Sequence, residues 1–136
     1  MAINVELIRE SFNNDIAPKA DELVEFFYDD LFSRYSEVKP LFEKTDMPSQ
    51  KKKLLASLKF LVENLEDTSI LADALTSLGE RHASYNVKAE HYPMVADSLL
   101  AALSEVMGGK WTPEVREAWT ELYMTAAGIM QRACTA

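Results

Sequence analysis

The stretch LGERHASYNVKAEHYP, from Leu78 to Pro93, contains both histidines of the chain, His82 and His91. Upstream, Leu71, Leu75 and Leu78 are spaced i, i+4, i+7, and His82 and Tyr85 continue the series at i+11 and i+14. On a helix those positions form one face, so His82 falls on a stripe that is otherwise apolar and turned toward a core. Two readings of it are open. It is either a core histidine whose ring nitrogens are satisfied by neighbours, or a ligand to a metal or to haem. A tetrahedral zinc site needs about three or four protein ligands. Two histidines and the single Cys134, far apart in sequence, supply no such cluster. Haem brings four nitrogens of its own, so one imidazole suffices to hold its iron.

Outward from this stretch the periodicity is helical throughout. Val5, Ile8 and Phe12 mark a first helix, and after Pro18 the set Leu23, Val24, Phe27, Tyr28, Leu31 and Phe32 marks a second. A third is expected from near Pro48 with Leu54, Leu58, Leu61 and Leu65 on one stripe, and the fourth carries His82. The fifth, from about Ala89, has Tyr92, Val95, Leu99, Leu103 and Val106, and Gly108 and Gly109 end it. In the sixth, Thr112 is an N-cap with Pro113 just inside, ahead of Val115, Trp119, Leu122, Ala126 and Ile129. No segment alternates as a strand does, so the expectation is a single all-α domain spanning residues 1–136.

Composition limits the function classes. The 136 residues are 48% apolar with a formal charge of −8, which disfavours nucleic acid and anionic membrane surfaces as partners. No run approaches the roughly 18 apolar residues of a membrane helix. The opening MAINVELIRE offers no signal-peptide core, and Cys134 cannot form an internal disulfide, so the expected location is cytoplasmic.

If His82 forms one wall of a pocket, the third helix offers the opposite one. Gln50 stands at the start of the stripe Leu54, Leu58, Leu61, an unusual place for an amide, and Tyr28 directs a hydroxyl from the second helix. Each also has a plain structural reading: a tyrosine reaching a carbonyl, and a glutamine kept wet at a helix start.

The segments FFYDDLFSRYSEVKPLF, SQKKKLLASLKFLV, GERHASYNVKAEHYP and WTPEVREAWTELY, in this order, resemble the globin family. The similarity is to bacterial single-domain globins and the globin part of flavohaemoglobins, and the last segment also resembles neuroglobins. It covers essentially the whole chain, with its most specific parts at Phe42, at Arg81 and His82, and from Val87 to Pro93. The resemblance implies a three-over-three helical sandwich around haem b, with His82 as the iron ligand and Phe42 stacked on the ring. It places Tyr28, Gln50 and Leu54 on the distal wall, Lys53 and Arg81 at the haem propionates, and Val87 and Tyr92 on the proximal side. The implied function is high-affinity, reversible binding of dioxygen at ferrous iron. Nitric oxide and carbon monoxide are further ligands, and nitric oxide dioxygenation or weak peroxidase activity is the implied enzymatic use. The alternative is a haem-based gas sensor or an electron-transfer globin.

Two departures qualify this. The family usually has proline where Ser36 stands, so a looser turn is expected there. In flavohaemoglobins a glutamate on the last helix joins the proximal histidine and tyrosine, and Cys134 falls at that position. A thiol is a poorer acceptor, which argues against strong peroxidase or very fast dioxygenase chemistry. Within 136 residues there is no room for flavin and nicotinamide domains, so turnover is expected to draw electrons from a separate reductase.

Overall fold

The computed structural model describes the backbone of residues 4–84 and 90–135, with side chains throughout except at positions 68, 82–84 and 133–135. Six α-helices carry the chain: α1 (Val5–Ser11), α2 (Ala20–Arg34), α3 (Met47–Glu63), α4 (Thr68–Ser84), α5 (His91–Met107) and α6 (Pro113–Thr135). No strand occurs among the described residues. The main packing is α4 on α6 and α2 on α5, with α3 bridging to α1 and α2.

Local chemistry explains the boundaries. The first helix was expected to run to Phe12; instead a π turn covers Phe12–Ile16 and a 3-10 turn Ala17–Lys19. Pro18 has no N–H to continue an α-helical ladder, so the chain changes its hydrogen-bond register before α2 starts. Asp67 accepts the Ile70 N–H at 3.1 Å and caps α4. Gly108, at φ 55° and ψ −125°, takes a positive-φ conformation that favours glycine and closes α5. The Val115 N–H donates to Thr112 Oγ1 at 3.3 Å, as the cap of α6 requires.

Three tertiary devices set the helices against one another. Arg9 of α1 donates to the carbonyls of Val62 at 3.2 Å and Glu63 at 3.3 Å, supplying donors for the otherwise unpaired carbonyl end of α3. Its guanidinium also meets Glu66 at 2.5 Å. Buried Trp119 of α6 donates its indole N–H to Ser11 Oγ at 2.9 Å, and Ser11 donates in turn to the Ile8 carbonyl at 3.0 Å. Both polar groups are thus satisfied inside the core. Finally, α4 crosses α6 at Gly79, where a Cβ would stand 2.5 Å from the Met130 carbonyl oxygen. Only glycine allows backbones this close.

The corner between α2 and α3 was expected to be loose at Ser36. It forms a 3-10 turn over Ser36–Phe42, tied by the Val38 N–H to the Tyr35 carbonyl at 3.0 Å. Tyr35 then donates its hydroxyl to Asp97 on α5 at 2.5 Å, an anchor that does not depend on proline.

Candidate functional site

Between α3 and the α4–α6 pair lies a cavity of about 590 Å³. Its walls follow the apolar stripes. From α3 come Leu54, Leu58 and Leu61; from α4, Leu75 and Leu78; from α5, Tyr92, Val95 and Leu99. The base is formed by Trp119, Leu122 and Met130 of α6, and Phe27 of α2 closes one end. Polar side chains are few. Gln50 and Ser57 face the cavity from α3, and two exposed cations, Lys53 and Arg81, stand at its rim on α3 and α4.

Tyr28 of α2 stands behind Gln50. Tyr28 is buried against Phe27, with ring centroids 4.8 Å apart, and against Phe32 at 5.9 Å. Burial raises its phenol above the ordinary 10.0, and a hydrogen bond from the Gln50 side chain acts in the opposite direction. The phenol therefore stays protonated across the neutral range and remains a donor. Phe27 and Gln50 form the cavity wall itself, and Tyr28 stands just behind them. Phe42 is half-buried at the end of the 3-10 turn and meets Tyr28 edge-on at 5.8 Å and Phe32 at 5.3 Å. It belongs to this aromatic cluster and is not one of the residues lining the cavity.

At the other end α4 brings its stripe to the cavity. His82 lies one residue after Arg81 and continues the helical register of Leu75 and Leu78, while its side chain lies outside the described residues. Val87 lies outside them as well, as does the side chain of Cys134. Tyr92 is buried in the wall, and its backbone carbonyl accepts the Tyr123 hydroxyl at 2.7 Å. Burial first, and then the field of Tyr92, push the Tyr123 phenol far upward. That bond joins α6 to the first turn of α5 beside the cavity.

Of the residues singled out in the sequence, Gln50, Lys53, Leu54, Arg81 and Tyr92 converge on this cavity, and Tyr28 supports Gln50 from behind. Phe27, Trp119 and Met130 also line the cavity, and nothing in the sequence distinguishes them from core residues. Their apolar spacing is the same for a residue that fills a core and one that lines a cavity, so periodicity carries no signal for the difference.

The donor set fits haem on its own chemistry. A volume of this order lies in the range of small-molecule and cofactor sites. A flat apolar ring suits the leucine walls, and two exposed cations at the rim suit its two carboxylates.

Comparison with known proteins agrees. The globin family profile matches residues 25–130. A flavohemoprotein of Rhodopirellula baltica is 34% identical over 116 residues, covering 84% of this chain and 28% of that protein. A flavohemoprotein of Rhizobium meliloti is 30% identical over 110 residues, covering 79% and 27% respectively. The chain thus spans less than a third of the length of these curated relatives. Among solved structures, an engineered carbene transferase made from a candidate nitric oxide dioxygenase of Rhodothermus marinus superposes with a TM-score of 0.85 at 28% identity, over 96% of this chain and 90% of that one. A bacterial globin from Campylobacter jejuni gives 0.83 at 24% identity, over 96% and 94%, which speaks to the fold. With its six-helix fold and a family match covering most of its length, the chain belongs to the globin family.

Proposed function

We propose that the cavity holds haem b with His82 as the iron ligand, and that the chain binds dioxygen reversibly and tightly there. Nitric oxide dioxygenation, fed by a separate reductase, is its enzymatic use in this reading. The observation that carries it is a cavity of mostly apolar walls with the Gln50 amide in one wall, the Tyr28 phenol behind that amide, and two exposed cations at the rim. When bound, haem b supplies a ferrous iron that takes dioxygen, nitric oxide or carbon monoxide.

The remaining chemistry belongs to the chain. Gln50 presents its amide to a diatomic ligand, and Tyr28 orients that amide or donates its own proton. Each hydrogen bond to a charged acceptor is worth about 1.5–3 kcal/mol. Two acting together slow ligand loss by roughly 10² to 10⁴-fold. Leu54, Leu58 and Leu61 keep bulk water out of the space beside these donors, which strengthens each one. Lys53 and Arg81, exposed at the rim, pair with the propionates and set the ring's orientation.

Titration of the purified chain with haemin tests the first half of this reading: a Soret band with one-to-one stoichiometry is expected, and its absence refutes haem binding. Nitrate formation from nitric oxide and dioxygen, with a reductase supplied, tests the second.

A further inference from the structure

Helix α3 has two faces with different work. Its inner face, through Gln50, Leu54 and Leu61, lines the cavity. Its outer face presents Lys52, Lys53, Ala56, Lys59 and Phe60, all exposed, with Phe60 at 38%, and Lys53 and Ala56 stand where this face meets the cavity rim. On a helical wheel these fall within one arc of about 120°, with the two apolar residues among the lysines.

The charge on this face is out of keeping with the chain. The protein carries −8 overall, yet α3 has four lysines against Glu63 alone. Lys51 pairs with Glu25 of α2 at 2.6 Å. Among the described residues no carboxylate pairs with Lys52, Lys53 or Lys59. The neighbouring helix α2 shows the reverse, with Asp21, Glu22, Glu25 and Asp29 exposed. Positive and negative charge are therefore segregated onto adjacent helices.

We propose that the outer face of α3, formed by Lys52, Lys59, Ala56 and Phe60, is the docking surface for an electron-donor protein bearing a compact acidic patch around its flavin. The inference rests on the haem reading above. Anything seated on this face stands about one helix diameter, ~10 Å, from the cavity interior. Each encounter passes one electron from the donor's reduced flavin, which is oxidised by one electron, to ferric iron, which becomes ferrous; no atom is transferred. Charge around the contact selects the approach and raises the association rate, and the apolar pair at the centre gives the contact area. The acidic row on α2 narrows the class of partner. An anionic bilayer or a nucleic acid is extended and would press on Asp21, Glu22 and Asp29 as well, whereas a patch the size of one helix face need not.

The test uses the haem-loaded chain and flavodoxin, a small acidic flavin protein, as the probe. Calorimetry with oxidised flavodoxin reads binding, and stopped-flow with reduced flavodoxin reads electron transfer. Lys52→Glu with Lys59→Glu is expected to weaken binding and slow reduction at least tenfold at about 0.01 M salt, and the difference from wild type is expected to vanish near 1 M. Phe60→Ser is expected to weaken binding severalfold at both salt concentrations. The control pair Lys19→Glu and Arg116→Glu, equal in charge change but on other elements, is expected to behave as wild type. All variants keep the wild-type Soret band. Its absence from every protein refutes the haem reading, whereas its presence with equal effects of the two charge-reversed pairs refutes the docking face. Wild type without salt-sensitive binding also overturns the proposal. So does binding to phosphatidylserine vesicles that the Lys52, Lys59 pair abolishes, which makes the face a membrane contact.

Discussion

Replacing two helical glycines by alanine should change stability in opposite directions, because only one of them lies at a backbone crossing. Alanine in place of glycine in a helix interior contributes roughly 0.5–1 kcal/mol through the lower entropy of the unfolded chain. Gly128 of α6 meets only the Arg132 guanidinium, at 3.7 Å from an added Cβ, which is ordinary contact. Gly128→Ala is therefore expected to stabilise by about that amount. At Gly79 the same methyl would stand 2.5 Å from the Met130 carbonyl oxygen and 2.8 Å from its Cα. Neither is the end of a side chain that can rotate away, so α4 and α6 must separate by most of an ångström. Overpacking of this kind costs about 1–3 kcal/mol, which outweighs the entropic gain. A net loss of about 1–2 kcal/mol is expected for Gly79→Ala, or a few degrees in Tm for a domain of this size. Both helices line the cavity, so haem release should quicken in the same variant. Thermal unfolding of the two variants, with and without haem, and haem transfer to an acceptor protein measure this. If Gly79→Ala raises Tm as Gly128→Ala does, the close crossing is not a feature of the folded protein and the reasoning fails.

His82→Ala should lose haem on gel filtration, while His91→Ala at the first turn of α5 should retain it; equal loss would mean the ligand is misassigned. Gln50→Leu and Tyr28→Phe should each raise the oxygen dissociation rate measured by flash photolysis, and changes within about twofold for both would remove them as donors worth ~1 kcal/mol. Arg9→Met should lower the urea midpoint by the equivalent of about 1–2 kcal/mol, because the carbonyl end of α3 loses its donors, and a value near zero would show that water replaces them. Tyr28 and Tyr123 are both raised above the ordinary 10.0. The folded chain therefore keeps protons that the unfolded chain releases, and stability should fall as pH rises through 10 and continue falling until the folded phenols ionise. Tyr123→Phe should flatten that decline in a pH series of denaturant melts.

Much of the fold was legible because helices depend on local signals. The spacing of Leu71, Leu75 and Leu78, the Thr112 cap ahead of Pro113, and the stop at Gly108 each act within a few residues, and the helices stand where these signals put them. Tertiary packing determined what periodicity cannot encode. An apolar stripe reads the same whether its residues interlock or frame an opening, so the cavity walls at Phe27, Trp119 and Met130 emerged only when five helices were brought together. The partnership of Tyr28 with Gln50 joins residues on different helices, and the corner at Ser36 is held by a tyrosine bonded to Asp97, 62 positions away. Gly79 makes the same point from the other side. In sequence it is an unfavourable residue in a helix, and only the approach of the Met130 backbone supplies the reason that no side chain can stand there.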